Sequence, residues 1–398
     1  MSQDEPTTLL LTLTGADRPG VTAAICGVVD DHGGATVLDV EQVVVRGQLT
    51  LAVLLTAREC VPLRDAVVAK ATALGYAVTA VIGEGDNESR QAGRAQVVVL
   101  GAPLTARAVG AVAGAVSGHG ANIDRIRRLA RNPVTTLELD ASGADVERLR
   151  RELSLIAAQE NVDIAVSPGG LARRGRRLVV MDVDSTLIQD EVIELLARHA
   201  DREAEVAAVT EAAMRGELDF TQSLHQRVAA LAGLPESVID EVRAAVRLTP
   251  GARTLVRTLK QLGFTVAVVS GGFIEVVAPL AHELGIHHAH ANALEIVDGH
   301  LTGRVKGQVV DRAEKAAALR RFAAAEGLPL TRTVAIGDGA NDLDMLAIAG
   351  LGVAFNAKPT VQQQAHTTVN VPHLDAVLFM LGISRDEIEA AGFASTNE

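Results

Sequence analysis

Residues 178–186 read LVVMDVDST, and this stretch decides the architecture. LVVMDV is an apolar strand with no polar face, and Asp182 and Asp184 stand two residues apart where it ends and a loop begins. A strand of that kind must be covered on both sides, as parallel strands are when helices pack on either face of a sheet. Two carboxylates at the rim of an apolar sheet repel each other and resist desolvation, so they call for a compensating cation. A hard cation such as Mg²⁺ prefers oxygen ligands of this type.

Downstream the pattern recurs. FTVAVVS (264–270), TVAIGD (333–338), LGVAF (351–355) and TTVNV (367–371) are further apolar strands, with helices between them, for example over 251–262 and 313–326. Strand–helix alternation predicts a doubly wound α/β sheet, with chemistry at the carboxyl ends of its strands. GDGAND (337–342) supplies a second acidic strand end. VVSGG (268–272) puts Ser270 and Gly271 at a third, where a hydroxyl and a glycine amide can donate to a phosphoryl oxygen. Lys315 lies on the helix that starts near Asp311. Taken singly, each is ordinary: an acidic cap, a turn, a surface lysine.

The order DVDST, VVSGG, Lys, GDGAND resembles the four motifs of the haloacid-dehalogenase-like phosphatases. That resemblance implies Asp182 as nucleophile, forming an aspartyl-phosphate, and Asp184 as general acid and base. It implies Mg²⁺ held by Asp182, the backbone carbonyl of Asp184, and Asp338, with Asp342 in support. Ser270, Gly271 and Lys315 would bind the phosphoryl oxygens. The chemistry is coherent: phosphate-monoester hydrolysis is among the slowest uncatalysed reactions, a metal and a lysine neutralise charge on the transferred group, and a carboxylate nucleophile divides one hard step into two. The mostly helical insertion at about 188–249 would be a mobile cap. Its segments IQDEVIELLARHA (188–200) and MRGELDFTQSLHQRV (214–228) resemble phosphoserine phosphatases. By that likeness Glu191 meets the substrate ammonium, Arg227 its carboxylate, Met214 and Phe220 line the apolar side, and Asn341 helps fix phosphoserine. Without the likeness, Glu191 reads as an acid favoured by a helix dipole and Arg227 as a solvated helix face.

Upstream, polar segments at 83–93 and 168–177 divide the chain into pieces 1–84, 94–168 and 177–392. The two N-terminal pieces repeat one order, βαββαβ, with helices at 21–31, 106–117 and near 146–160. Both resemble ACT-type, ferredoxin-like regulatory modules, which implies an amino-acid effector, L-serine or another, and a homodimer that covers open sheet edges. Asp17, Pro19 and Gly20 at the first strand-to-helix turn are the candidate effector site: Pro19 suits a helix's first turn and Gly20 lets a carboxylate approach. Capping alone would select the same residue types. The second copy has GAPL (101–104) there and lacks the cluster.

Composition sets the outer limits. The 398 residues suit two to three domains, 48% are apolar, and a net charge of −12 with 2% aromatics argues against nucleic-acid binding by charge or base stacking. Cys26 and Cys60 make no disulfide framework; with an acidic start, MSQDEP, and no long apolar run, a cytoplasmic protein without membrane spans is expected. Cys26 and Met345–Leu346 read as packing, the histidines 287, 288 and 290 as a surface hairpin and not a transition-metal site, and the tail 392–398 as disordered. The expected function is hydrolysis of O-phospho-L-serine, the last step of L-serine synthesis. The alternatives are a phosphatase for another phosphoamino acid or a phosphoprotein, and an amino-acid-sensing regulatory protein.

Overall fold

In β1 (Thr7–Ala16) Leu9, Leu11 and Leu13 are buried while Leu10 and Thr14 are exposed, the alternation of a sheet covered on one face. α1 (Val21–Asp31), β2 (Thr36–Val45), β3 (Gln48–Thr56), α2 (Cys60–Ala73) and β4 (Ala77–Glu84) complete an antiparallel sheet of order β2-β3-β1-β4. The computed structural model describes residues 7–32, 35–85, 93–170, 175–214 and 218–393, in two units, Met1–Arg90 and Gln91–Glu398. The tail beyond 393 lies outside the described residues. Two expectations for the first unit need correction. Pro19 precedes α1 and is not in its first turn, because Gly20 takes the position before the helix with φ +88°, a conformation that suits only glycine well. Cys26 is exposed on α1, and it is Cys60 that packs in the core.

The second unit opens with the same order: β5 (Ala95–Gly101), α3 (Ala106–Gly118), β6 (Asn122–Ala130), β7 (Thr135–Ser142), α4 (Val146–Glu160) and β8 (Asp163–Pro168), in a sheet β6-β7-β5-β8. One face of β5, through Val97 and Val99, packs on α3 and α4. The other face, through Val98 and Leu100, joins the main core of the chain's C-terminal part. Burial on both faces makes β5 continuously buried.

That C-terminal part contains β9 (Leu178–Met181), the helices α5 (Val192–His199), α6 (Glu203–Met214), α7 (Phe220–Ala229), α8 (Val238–Ala245) and α9 (Ala252–Gln261), then β10 (Thr265–Phe273), α10 (Ile274–Leu284), β11 (His288–Val297), β12 (His300–Lys306), α11 (Arg312–Ala325), β13 (Thr333–Gly337), α12 (Leu343–Ile348), β14 (Leu351–Phe355), α13 (Pro359–Gln362), β15 (Thr367–Val369), α14 (Val377–Met380) and α15 (Arg385–Ala390). The seven-stranded sheet has the order β12-β11-β10-β9-β13-β14-β15, parallel except for the β11–β12 hairpin. β9 is central. Val179 and Met181 bury into one core layer, Leu178 and Val180 into the other, which is why this strand has no polar face.

Two strands are shorter than their sequences suggest. β9 stops at Met181, before the aspartates, and β15 stops at Val369 because Asn370 is drawn to Asp163 of β8. The histidine-bearing stretch forms the β11–β12 hairpin, with His287 just before β11 and His288 and His290 on the part of β11 that pairs with β10. His287 Nδ1 accepts from Val266 N, His288 pairs with Glu326 and stacks on Phe322, and His290 pairs with Glu314. Met345 and Leu346 are fully buried, as read.

Asp163 is buried at the seam between β8 and β15. It accepts from Asn370 N (2.9 Å), Asn370 Nδ2 (2.7 Å) and the Thr368 hydroxyl, and burial raises its carboxyl above the ordinary range. Asp163→Ala leaves those donors unpaired, so a loss of about 2–4 kcal/mol is expected in denaturant unfolding. A loss under about 0.5 kcal/mol would mean that the seam is not held by this carboxylate.

Candidate active site

The site grows from three neighbouring strand ends, β10, β9 and β13. Beyond β9 the chain makes a wide turn, Val183–Leu187, closed by a bond from Ile188 N to Val183 O (3.0 Å), with Ser185 in the left-handed region at φ +56°. A non-glycine residue there is strained, and it is compensated locally: Ser185 Oγ donates to Glu191 Oε1 (2.8 Å). The turn reverses the chain so that Asp182 and Asp184 face one cleft of about 110 Å³.

Asp182 is buried. Its Oδ1 accepts from Val183 N (2.7 Å) and its Oδ2 lies 2.7 Å from Lys315 Nζ. Lys315, fully buried on α11, also donates to Asp342 Oδ1 (2.8 Å), while Asp342 Oδ2 accepts from Gly339 N (3.1 Å). Carboxylate oxygens of Asp182, Asp338 and Asp342 lie within 4.8 Å of one another. One ammonium shared between two carboxylates leaves negative charge over. Burial and the charge of Asp342 therefore push Asp182 well above the ordinary carboxylate range despite Lys315. Burial would lower Lys315, but Asp182 and Asp342 hold it above its ordinary value, so it stays charged. Asp338 is pushed up to about 6, by burial first and then by Asp342 and Glu191.

Asp184 is pushed up to about 7, by burial first and then by the charge of Glu191. Its Oδ1 accepts from Val192 N (2.9 Å) at the start of α5, and its Oδ2 accepts from Ser270 Oγ (3.2 Å). Ser270 is buried, and it also accepts from Gly272 N (2.8 Å). A side chain at Gly272 would place its Cβ 2.6 Å from Asp184 Oδ2, so this close approach demands glycine.

The cap closes the other side. Its two connections to the sheet are paired: Ile188 bridges Leu248, Gln189 N donates to Arg247 O (2.9 Å), and Arg247 Nη2 meets Asp190 Oδ1 (2.7 Å). Glu191, ahead of α5, turns its side chain to Ser185 and the cleft without capping the helix, and burial raises its carboxyl. Arg227 of α7 is half-buried, lines the same cleft, and is lowered by that burial. Phe220 lines it too, its Cζ 3.0 Å from where a Cβ on Gly271 would stand.

Asp182, Asp184, Glu191, Phe220, Arg227, Gly271, Asp338 and Asn341 thus share one cleft, with Ser270, Lys315 and Asp342 directly behind its wall. The Met214 side chain lies outside the described residues. Asp17, Pro19 and Gly20 belong to the first unit, exposed, with Asp17 N donating to Gly47 O (2.8 Å). Three further residues belong to the site: Thr186, whose Oγ1 donates to Asp338 Oδ1 (3.1 Å), and Ile193 and Leu224, which line the cleft. Thr186 ends the DVDST motif, which is the sequence signal for it. Ile193 and Leu224 carried no signal beyond helix amphipathicity.

Among the described residues, no helix is long and apolar enough to cross a membrane. The haloacid dehalogenase-like hydrolase family matches residues 179–347, and ACT domains match 7–78 and 94–167. A phosphoserine phosphatase of Streptomyces coelicolor is 59% identical over 98% of this chain and 95% of its own length. One of Mycobacterium tuberculosis is 52% identical over 96% of this chain and 95% of its own. The crystal structure of a probable phosphoserine phosphatase from Vibrio cholerae, 35% identical, covers 78% of this chain and 93% of its own with a TM-score of 0.58. With likeness at 59% and 52% identity running along nearly its full length, the chain belongs to the phosphoserine phosphatase family.

Proposed function

We infer that the protein hydrolyses O-phospho-L-serine to L-serine and phosphate, the last step of L-serine synthesis, through a phosphorylated Asp182. The observation that carries this reading is one cleft lined both by Asp182, itself beside Lys315, and by the opposite charges Glu191 and Arg227. A phosphorylated zwitterion needs that pairing: cations for its phosphate, an anion for its ammonium and a guanidinium for its carboxylate.

The donor set around Asp182 and Asp338 is all oxygen and carries excess negative charge, which fits a hard divalent ion such as Mg²⁺. Asp182, Asp338 and the carbonyl of Asp184 would hold it, with Asp342 tied back by Lys315 and Gly339. When bound, the ion supplies charge neutralisation for the transferred phosphoryl group.

Asp182 attacks phosphorus with its carboxylate oxygen, a new P–O bond forms, and the bond to the serine oxygen breaks. Asp184, held near neutrality by burial, gives its proton to that leaving oxygen. In the second half Asp184 takes a proton from water, which attacks the acyl phosphate and frees Asp182 and inorganic phosphate. Lys315, the Gly271 amide and, with its hydroxyl turned from Asp184, Ser270 meet charge on the phosphoryl oxygens, while Phe220, Leu224 and Ile193 exclude water.

Arg227→Ala is expected to raise KM for phosphoserine by about 10–100-fold while kcat falls less than about tenfold. A panel of phosphoserine, phosphothreonine and sugar phosphates gives the comparison. The substrate assignment fails if Arg227→Ala lowers kcat alike on all of them with KM unmoved.

The ACT matches support an amino-acid effector, L-serine or another, at the Asp17–Gly20 turn. Exposed Leu10, Val43 and Val81 on one face of the first sheet support a homodimer. Free Cys26 and Cys60 fit a reducing cytoplasm.

A further inference from the structure

β10 and β11 run in register from Ala267 opposite His288 to Ser270 opposite Ala291, and the next pair is Phe273 opposite Asn292. Gly271 and Gly272 bow out of the ladder between them, at the wall of the cleft. A bulge next to a reaction site re-aims backbone groups, and two adjacent glycines give it little stiffness of its own. Something else must hold it.

Asn292 is in place to do so. It is 2% exposed, its Nδ2 donates to Gly271 O (2.8 Å), and its Oδ1 accepts from Val310 N (2.8 Å). Gly272 N, the other end of the Gly271–Gly272 peptide unit, donates to Ser270 Oγ (2.8 Å). Both polar ends of that peptide are therefore tied, which fixes its plane. Val310 precedes Asp311, which caps α11 by accepting from Glu314 N (2.8 Å), and Lys315 N donates to Asp311 O (2.9 Å) in the first turn. One carboxamide thus joins the glycine bulge to the start of the helix that carries Lys315.

Resting on the phosphatase reading above, we propose that Asn292 is a positioning residue that holds the Gly271–Gly272 bulge in register with Lys315, so that the phosphoryl group meets its donors already aligned. Its hydrogen bonds go to Gly271 and Val310 and not to Glu191, Arg227 or Asp182, so its loss lowers kcat and leaves substrate affinity nearly unchanged.

The bond pattern requires a donor at one end of the side chain and an acceptor at the other. Asn292→Asp gives a nearly isosteric test. Ionised, the introduced carboxyl offers two acceptors, one against the Gly271 carbonyl; protonated, it has one O–H donor and one acceptor again. Burial raises such a carboxyl, so the pattern returns in mildly acid solution. On the neighbouring elements, His290 pairs with Glu314, Glu275 Oε1 accepts from Leu294 N while Glu275 Oε2 is buried without a hydrogen-bond partner, and Asp311 is occupied as a cap.

The experiment measures kcat and KM per folded molecule for the full chain, Asn292→Asp and Asn292→Ala, with Mg²⁺ and phosphoserine. At about pH 8 both variants are expected to lose about 30-fold in kcat with KM within about threefold. The Asn292→Asp to parent kcat ratio should rise about fivefold or more on going to about pH 5.5, while the Asn292→Ala ratio stays flat. The inference is overturned if Asn292→Asp is as pH-insensitive as Asn292→Ala, or if lost activity is fully accounted for by lost folded protein. A parent chain inert to phosphoserine but active on p-nitrophenyl phosphate overturns the substrate assignment alone, and the same ratios are then read with p-nitrophenyl phosphate.

Discussion

Asp182→Asn is expected to lower kcat for phosphoserine by about 10⁴-fold or more. The amide keeps the size of the side chain but has no charged oxygen to attack phosphorus, and no neighbour is placed to substitute. Asp342 is committed to Lys315 and Gly339 N, and Asp184 is held through Val192 N and Ser270 as the proton carrier. KM should move little, because Glu191 and Arg227, the other charges lining the cleft, are untouched. Acid quenching with radiolabelled phosphoserine gives a second readout: label retained on the parent chain and absent from the variant. A variant turning over at more than about a tenth of the parent rate would remove Asp182 from the nucleophile's place, and the covalent route with it.

Removing divalent ions should stop turnover and also change how stability depends on pH. Asp184 and Asp338 are raised from an ordinary value of 3.8 to about 7 and about 6 in the ion-free fold, and Asp182 is raised as well. A raised carboxyl binds its proton more tightly folded than unfolded, so the unfolded chain carries fewer protons between the two values and stability falls as pH rises. The penalty is absent below about pH 4, grows through about pH 6–7, and amounts to a few kcal/mol for the group of carboxylates together. Denaturant midpoints of the chelated protein should decline across that window, and millimolar Mg²⁺ should remove most of the decline at about pH 7.5 by stabilising the ionised carboxylates. Equal slopes with and without Mg²⁺ would show that no ion binds among these residues.

The difference between what the chain announces and what it conceals follows from range. LVVMDV announces a buried parallel strand because burial on two faces leaves no place for polar residues, and period and composition are local properties. The paired βαββαβ modules are readable for the same reason: alternation in β1 and amphipathic helices such as α4 are written residue by residue. DVDST, VVSGG and GDGAND were legible as strand ends with chemistry attached.

Other features exist only across distance. Nothing local says that Lys315 is buried against Asp182 and not solvated; the packing of α11 on the sheet decides that. The hairpin that carries His288 and His290 is legible in the sequence, but their carboxylate partners on other segments, Glu326 and Glu314, are not. Cys26 sits in an apolar stretch yet faces outward, because helix phase against its own sheet sets exposure, and composition does not. The sequence by itself determined the order of elements and the residue types at each strand end. Tertiary structure alone decided which carboxylates crowd one another, which lysine answers them and which asparagine ties their loops, since charge repulsion and hydrogen bonds act between segments that burial has first brought together.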